Sequence, residues 1–138
     1  MRKTTLKDNI IIDIPKIEDP RGNLSVIEKD VIPFDIKRVY YLYDVPAGAE
    51  RGGHAHKESK AFLVALSGSF DIVLHDGTDE KVITLNRPYK GLLITTGIWR
   101  EIRNFSSAAV CLVVSSDVYD EDDYIREFDE FLVSKQNG

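Results

Sequence analysis

The chain is 138 residues long, 43% hydrophobic and 30% charged, which is apolar material enough for one ordinary globular domain over residues 1–138 and too little for two. A net charge of -5 argues against nucleic acid as a partner, since affinity there rests on clustered cations meeting phosphates, yet it leaves room for a small anion held by a local group of arginines. The N-terminal stretch is charged with no apolar region behind it, no apolar run reaches membrane-spanning length, and the single cysteine, Cys111, has no intrachain partner; a cytoplasmic protein with no membrane association and no disulfide is expected.

In chain order, Asn9-Ile10-Ile11-Ile12-Asp13-Ile14-Pro15 reads as an edge strand whose isoleucines are unlikely to face water, and its exchange between subunits is one route to a homodimer. Asp19-Pro20-Arg21-Gly22-Asn23 is a turn. Strands are expected over Leu24–Glu28, Lys37–Tyr43, Ala61–Leu66, Phe70–His75, Lys81–Leu85, Gly91–Thr95 and Ala109–Ser115. Turn signals such as Ser67-Gly68-Ser69, Asp76-Gly77-Thr78 and Asn86-Arg87-Pro88 separate them. Short strands at spacings of about 8–12 residues make the class all-β, a sandwich or barrel. Within Lys37–Tyr43, Arg38 and Tyr40 share one face while Val39, Tyr41 and Tyr43 share the other, so one set can line a cavity and the other pack in the core or against a second subunit. One helix is expected, Asp120–Val133, with its acidic start read as a solvated, dipole-complementing first turn and with Tyr124, Ile125, Phe128, Phe131 and Leu132 as an apolar stripe.

The chemistry concentrates in Arg51-Gly52-Gly53-His54-Ala55-His56-Lys57, a loop entering the strand at Ala61. On extended backbone His54 and His56 point the same way, and two converging imidazoles bind a metal or move protons near neutral pH. Gly48, five residues, then His54-Ala55-His56, resembles the first motif of the cupins. A metal-binding cupin also carries a glutamate where this chain has Lys60 or Ala61, and a third histidine where it has Arg100; neither lysine nor arginine ligates a cation at pH 7, so no metal and no cofactor is expected. What remains is acid/base chemistry on an anion. A neutral imidazole with a pKa of about 6.5 is a competent base, and Arg21, Arg38, Arg51 and Arg100, gathered near it, would receive a diphosphate, with Trp99 as a cavity wall.

Three ordered segments, Ile32–Tyr41, Arg51–Lys57 and Tyr119–Arg126, together resemble the sugar 3,4-ketoisomerases that act on dTDP-4-keto-6-deoxyglucose. The resemblance runs from Lys16 to Phe131. It implies a small jelly-roll cupin, a homodimer, and metal-free conversion of the 4-keto sugar to its 3-keto isomer for 3-amino-3,6-dideoxy sugars of bacterial surface polysaccharides such as the lipopolysaccharide O-antigen. By the same resemblance His54 takes the proton from C3, His56 relays a proton to C4 through a cis-enediol, Tyr40 donates to the enediolate, and Arg38 and Arg51 hold the pyrophosphate. Members of this family differ at the positions of Arg21 and Arg100, and this chain has arginine at both; arginine at 100 favours the equatorial, gluco product. Two rival readings are epimerisation of a dTDP-4-keto sugar at C3 or C5 and a non-catalytic sugar-nucleotide-binding cupin.

Overall fold

The computed structural model describes residues 3–137, and the expectations placed on Met1, Arg2 and Gly138 lie outside them. Two five-stranded sheets carry the fold. The first is ordered β1 (Ile11–Asp13), β9 (Lys90–Ile94), β6 (Ala61–Ser67), β11 (Val110–Ser115), β4 (Arg38–Leu42). The second is ordered β12 (Tyr124–Ile125), β5 (Arg51–His56), β10 (Trp99–Arg103), β7 (Phe70–His75), β8 (Glu80–Leu85), and a small hairpin pairs β2 (Lys16–Ile17) with β3 (Leu24–Ser25). Every pairing is antiparallel. Among the described residues one α-helix, α1 (Phe128–Asn137), follows the last strand, so the all-β expectation stands.

The core lies between the sheets, where Leu63, Phe70, Ile72, Leu74, Leu92, Ile94, Cys111 and Val113 interdigitate. Strand β6 reads Ala-Phe-Leu-Val-Ala as an unbroken apolar run because both its faces are covered: Phe62 and Val64 turn outward and pack with Ile14, Ile32, Leu93 and Val114 beneath the segment around Ile27 and Phe34. Gly91 faces Phe62 so closely that a Cβ there would overlap the ring. Cys111 is fully buried, and burial pushes its thiol up to about 12, which leaves it inert.

Four elements depart from expectation. Arg51–His56 is a strand rather than a loop, because it finds β10 on one side and β12 on the other. Trp99–Arg103 is a strand that a sequence of Trp-Arg-Glu-Ile-Arg does not announce, its polar residues being answered by the site and by side-chain partners. The helix begins at Phe128, not at Asp120. Asp120 caps a short 3-10 turn over Glu121–Asp123, after which Tyr124-Ile125 pairs with His56-Ala55, so the acidic run is a sharp turn between strands. The second half of the expected stripe holds: Phe131 packs with Ala55, Trp99 and Ile125, with Leu132 against them, sealing the outer face of the second sheet. The Leu24–Glu28 strand shortens to Leu24–Ser25.

Candidate active site

Strand alternation selects what reaches the interior. On β4, Arg38, Tyr40 and Leu42 face inward while Val39, Tyr41 and Tyr43 lie 55–61% exposed, so the tyrosines on that outer face are not core residues. On β10, Arg100 and Ile102 face inward, and Arg100 sits directly across from His54 of β5. The result is a cavity of about 190 Å³ between the sheets, bordered by Arg38, Tyr40, Arg51, His54, Arg100, Tyr124 and Arg126, with Leu63, Ile102 and Val113 as its apolar wall.

The two histidines are buried and meet Nε2 to Nε2 at 3.1 Å, their rings edge-on. His54 borders the cavity; His56 stands behind it, its Nδ1 2.9 Å from a carboxylate oxygen of Asp123. That carboxylate also accepts the backbone N–H groups of Glu58 at 2.6 Å and Ser59 at 3.2 Å. These bonds hold the Asp123 pKa below the ordinary carboxylate value despite burial. Burial, reinforced by the charge of Arg100, pulls His54 down to about 2 and His56 to about 4, so both imidazoles are neutral at pH 7. Tyr124 lies over both rings.

Arg100 is the unusual member. It is 3% exposed, its Nε donates one long bond of 3.3 Å to the Ile98 carbonyl, and its Nη2 has no partner. Burial lowers its pKa to about 10, which still leaves a full cation facing the cavity. Desolvation raises the pKa of the Tyr40 phenol, so Tyr40 stays protonated and able to donate.

Of the residues picked out in the sequence, His54, Tyr40, Arg38, Arg51 and Arg100 line this cavity, with His56 behind His54. Trp99 does not: neighbours on a strand face opposite ways, so while Arg100 enters the cavity Trp99 packs on Phe128 and Phe131 and donates its indole N–H to Glu101. Arg21 is not among the lining residues either; it projects from the β2–β3 hairpin with its side chain 90% exposed, paired to Asp19. Asp123, Tyr124 and Arg126 were missed as site residues. The one sequence signal for them was their place in the Tyr119–Arg126 segment, whose spacing alone suggests a solvated helix start. Among the described residues no group of three His, Cys, Asp or Glu side chains is placed to hold a metal ion.

A family model described as FdtA, WxcM-like, C-terminal, matches residues 7–136. The chain belongs to the WxcM-like sugar 3,4-ketoisomerases. It is 46% identical over 125 residues, 90% of each chain, to a TDP-4-oxo-6-deoxy-alpha-D-glucose-3,4-oxoisomerase of Aneurinibacillus thermoaerophilus. Among solved structures it resembles a 3,4-ketoisomerase from Helicobacter canadensis (48% identity, TM-score 0.91, covering 94% of this chain and 98% of that one). It also resembles QdtA, a sugar 3,4-ketoisomerase of Thermoanaerobacterium thermosaccharolyticum crystallised with TDP (41%, 0.93, 96% and 98%). A dTDP-4-dehydrorhamnose 3,5-epimerase from Bacillus anthracis, at 17% identity and a TM-score of 0.76 over 88% and 79%, shares the fold alone. Membership makes the chain an isomerase, favouring ketone migration over the epimerase reading.

Proposed function

We propose that this ketoisomerase acts on dTDP-4-keto-6-deoxyglucose and forms the dTDP-3-keto-6-deoxy isomer without a metal or other cofactor, as a single-domain cytoplasmic enzyme. The observation that carries the reading is a neutral buried imidazole, His54, directly across a strand pair from a buried arginine, Arg100, whose Nη2 has no hydrogen-bond partner.

The hexose end enters the cavity, which at about 190 Å³ is smaller than a pocket for a whole nucleotide sugar, and the diphosphate and thymidine lie over the rim at Arg38, Arg51 and Arg126. His54 removes the C3 proton, and the electron pair of that C–H bond becomes the C3–C4 double bond of an enediolate whose charge sits on the former C4 carbonyl oxygen. Arg100 and the Tyr40 hydroxyl stabilise this charge; it appears only as the reaction proceeds, which is where oriented donors lower a barrier. The C3 hydroxyl proton moves to the C4 oxygen, C4 takes the proton held by the histidines, and C3 becomes the ketone. No electrons enter or leave. Because His56 stands behind His54, its part is to hold and return a proton.

A homodimer is part of this proposal. Val39, Tyr41 and Tyr43 on the outer face of β4, and Ile17 and Leu24 on the hairpin, expose apolar surface of the kind a second copy covers. In the proposed dimer the hairpin that carries Arg21 serves the neighbouring cavity, the arrangement in which Arg21 would bind substrate. Analytical ultracentrifugation giving a stable monomer would sink the dimer.

The test of the function is proton NMR of EDTA-treated protein with dTDP-4-keto-6-deoxyglucose in deuterium oxide. Ketone migration with deuterium at the new C4, or washed out at C3, is the expected result, and the C4 coupling constants give the product configuration, with an equatorial hydroxyl expected from Arg100. Unchanged substrate that still raises the melting temperature would support a binding cupin instead. Exchange at C3 or C5 without ketone migration would restore the epimerase.

A further inference from the structure

The histidine pair is surrounded by cations. Arg100 of β10 and Arg126 act on His54, Arg100 and Arg38 of β4 act on His56, and the Tyr124 ring covers both. Each of these arginines opposes a positive charge on the imidazoles. Among the described residues the carboxylate acting on the pair is that of Asp123, 2.9 Å from His56 Nδ1 and itself only 9% exposed. The base of a proton shift must become transiently cationic, and two features favour that state: a hydrogen bond with the Gly52 backbone at His54, and the Asp123 carboxylate at His56.

The hydrogen bonds also fix which nitrogens carry protons. Both Asp123 oxygens are occupied by N–H donors, Glu58 on one, Ser59 and His56 on the other. A carboxylate so held is an acceptor, and His56 must therefore donate Nδ1–H to it. In the neutral ring the His56 Nε2 is then a bare lone pair, and the 3.1 Å contact makes His54 the donor in the bridge, through its Nε2–H. The neutral pair carries two ring protons, one on His56 Nδ1 and one in the bridge.

We propose that Asp123 is the positioning residue of the proton shift: by holding His56 as the Nδ1–H tautomer it keeps His56 Nε2 open to receive the bridging proton from His54. This rests on the isomerase reading above and deepens it. When His54 takes up a proton from the sugar, the bridging proton passes from His54 Nε2 to His56 Nε2. His54 returns to neutral, and the positive charge comes to rest on the ring beside the Asp123 carboxylate, away from Arg126. Reversal of the same transfer returns the proton for delivery to C4. Nothing but protons moves, and the count is unchanged at the end of the cycle. The local structure serves this placement: the Asp120-capped turn over Glu121–Asp123 swings the carboxylate inward between β5 and β12.

The test combines Asp123→Asn, His56→Gln and the double variant with ring 15N NMR of the ligand-free wild type. Asp123→Asn is expected to lower kcat about 10²-fold, within the usual contribution of acid–base machinery, with KM changed less than about threefold. Thermal protection by TDP should persist in it. In the His56→Gln background the same change should cost less than about twofold, because Asp123 acts through His56. The wild-type 15N spectrum should show one neutral imidazole protonated at Nδ1, and Asp123→Asn should shift it toward a tautomer mixture. Wild-type kcat in Asp123→Asn, an equal loss in both backgrounds, or a His56 ring bare at Nδ1 in the wild type would each overturn the proposal. Should Asp123→Asn not fold, the wild-type spectrum decides alone. A wild-type protein that shows the Nδ1–H tautomer but migrates no ketone would sink the isomerase reading, a separate outcome from loss of the relay.

Discussion

The rim and the floor of the cavity are both built from arginine, and they differ in what surrounds the charge. At the rim Arg126 is exposed, pairs with Glu121 at 2.6 Å and stacks on Tyr124, while Arg38 lies over the rings of Tyr40 and Tyr119 and reaches the Tyr124 hydroxyl at 3.4 Å. At the floor Arg100 is 3% exposed, makes no ion pair among the described residues, and has part of its guanidinium unbonded, with the Asp123 charge acting on it only through space. Screened rim cations attract and hold an anion at little structural cost. A buried cation without an ion-pair partner costs folding energy at rest and returns it only when negative charge develops beside it, which is how a site comes to favour a transition state over a ground state.

The sharpest way to break this contrast is at the floor. His54→Asn should abolish ketone migration by about 10³-fold or more while TDP still protects against thermal unfolding; residual turnover within tenfold of wild type would remove His54 from the chemistry. Arg100→Met should lower kcat by about 10²-fold and yet raise the melting temperature, since it removes a desolvated charge that makes no ion pair among the described residues. A variant that lost both activity and stability would mean that Arg100 holds the fold instead. In the wild type the acid limb of kcat/KM should lie well below pH 6, because the neutral imidazole is the active base and burial with Arg100 lowers both histidines. In Arg100→Met that limb should move up toward pH 6.5. Smaller effects belong to the rim: Arg51→Ala should raise KM about tenfold with kcat nearly unchanged, and Arg126→Gln, already neutralised by Glu121, should raise it only about two- to threefold, an effect that fades with added salt. Equal losses of kcat at rim and floor would dissolve the distinction.

Much of this was legible in the chain. Period-two alternation placed Arg38 and Tyr40 on one face and Val39, Tyr41 and Tyr43 on the other, and the His-x-His spacing brought His54 and His56 together, since both depend only on extended backbone. The same rule, applied to Trp99 and Arg100, separates them, but Trp99–Arg103 has no strand-like apolar pattern to prompt its use. The Asp120–Val133 helix failed because the tertiary demands on Asp123 and the pairing of Tyr124-Ile125 with β5 outweigh the helical spacing of the apolar residues.

What the sequence determined by itself was the all-β class and the histidine pair, because these follow from local periodicity and spacing. The tertiary structure decided which residues meet across the sheets: Asp123 behind His56, 67 residues away, Arg100 opposite His54, and Trp99 beneath the helix. Those contacts follow from strand register, which antiparallel pairing sets over long separations and which no stretch of the chain specifies alone.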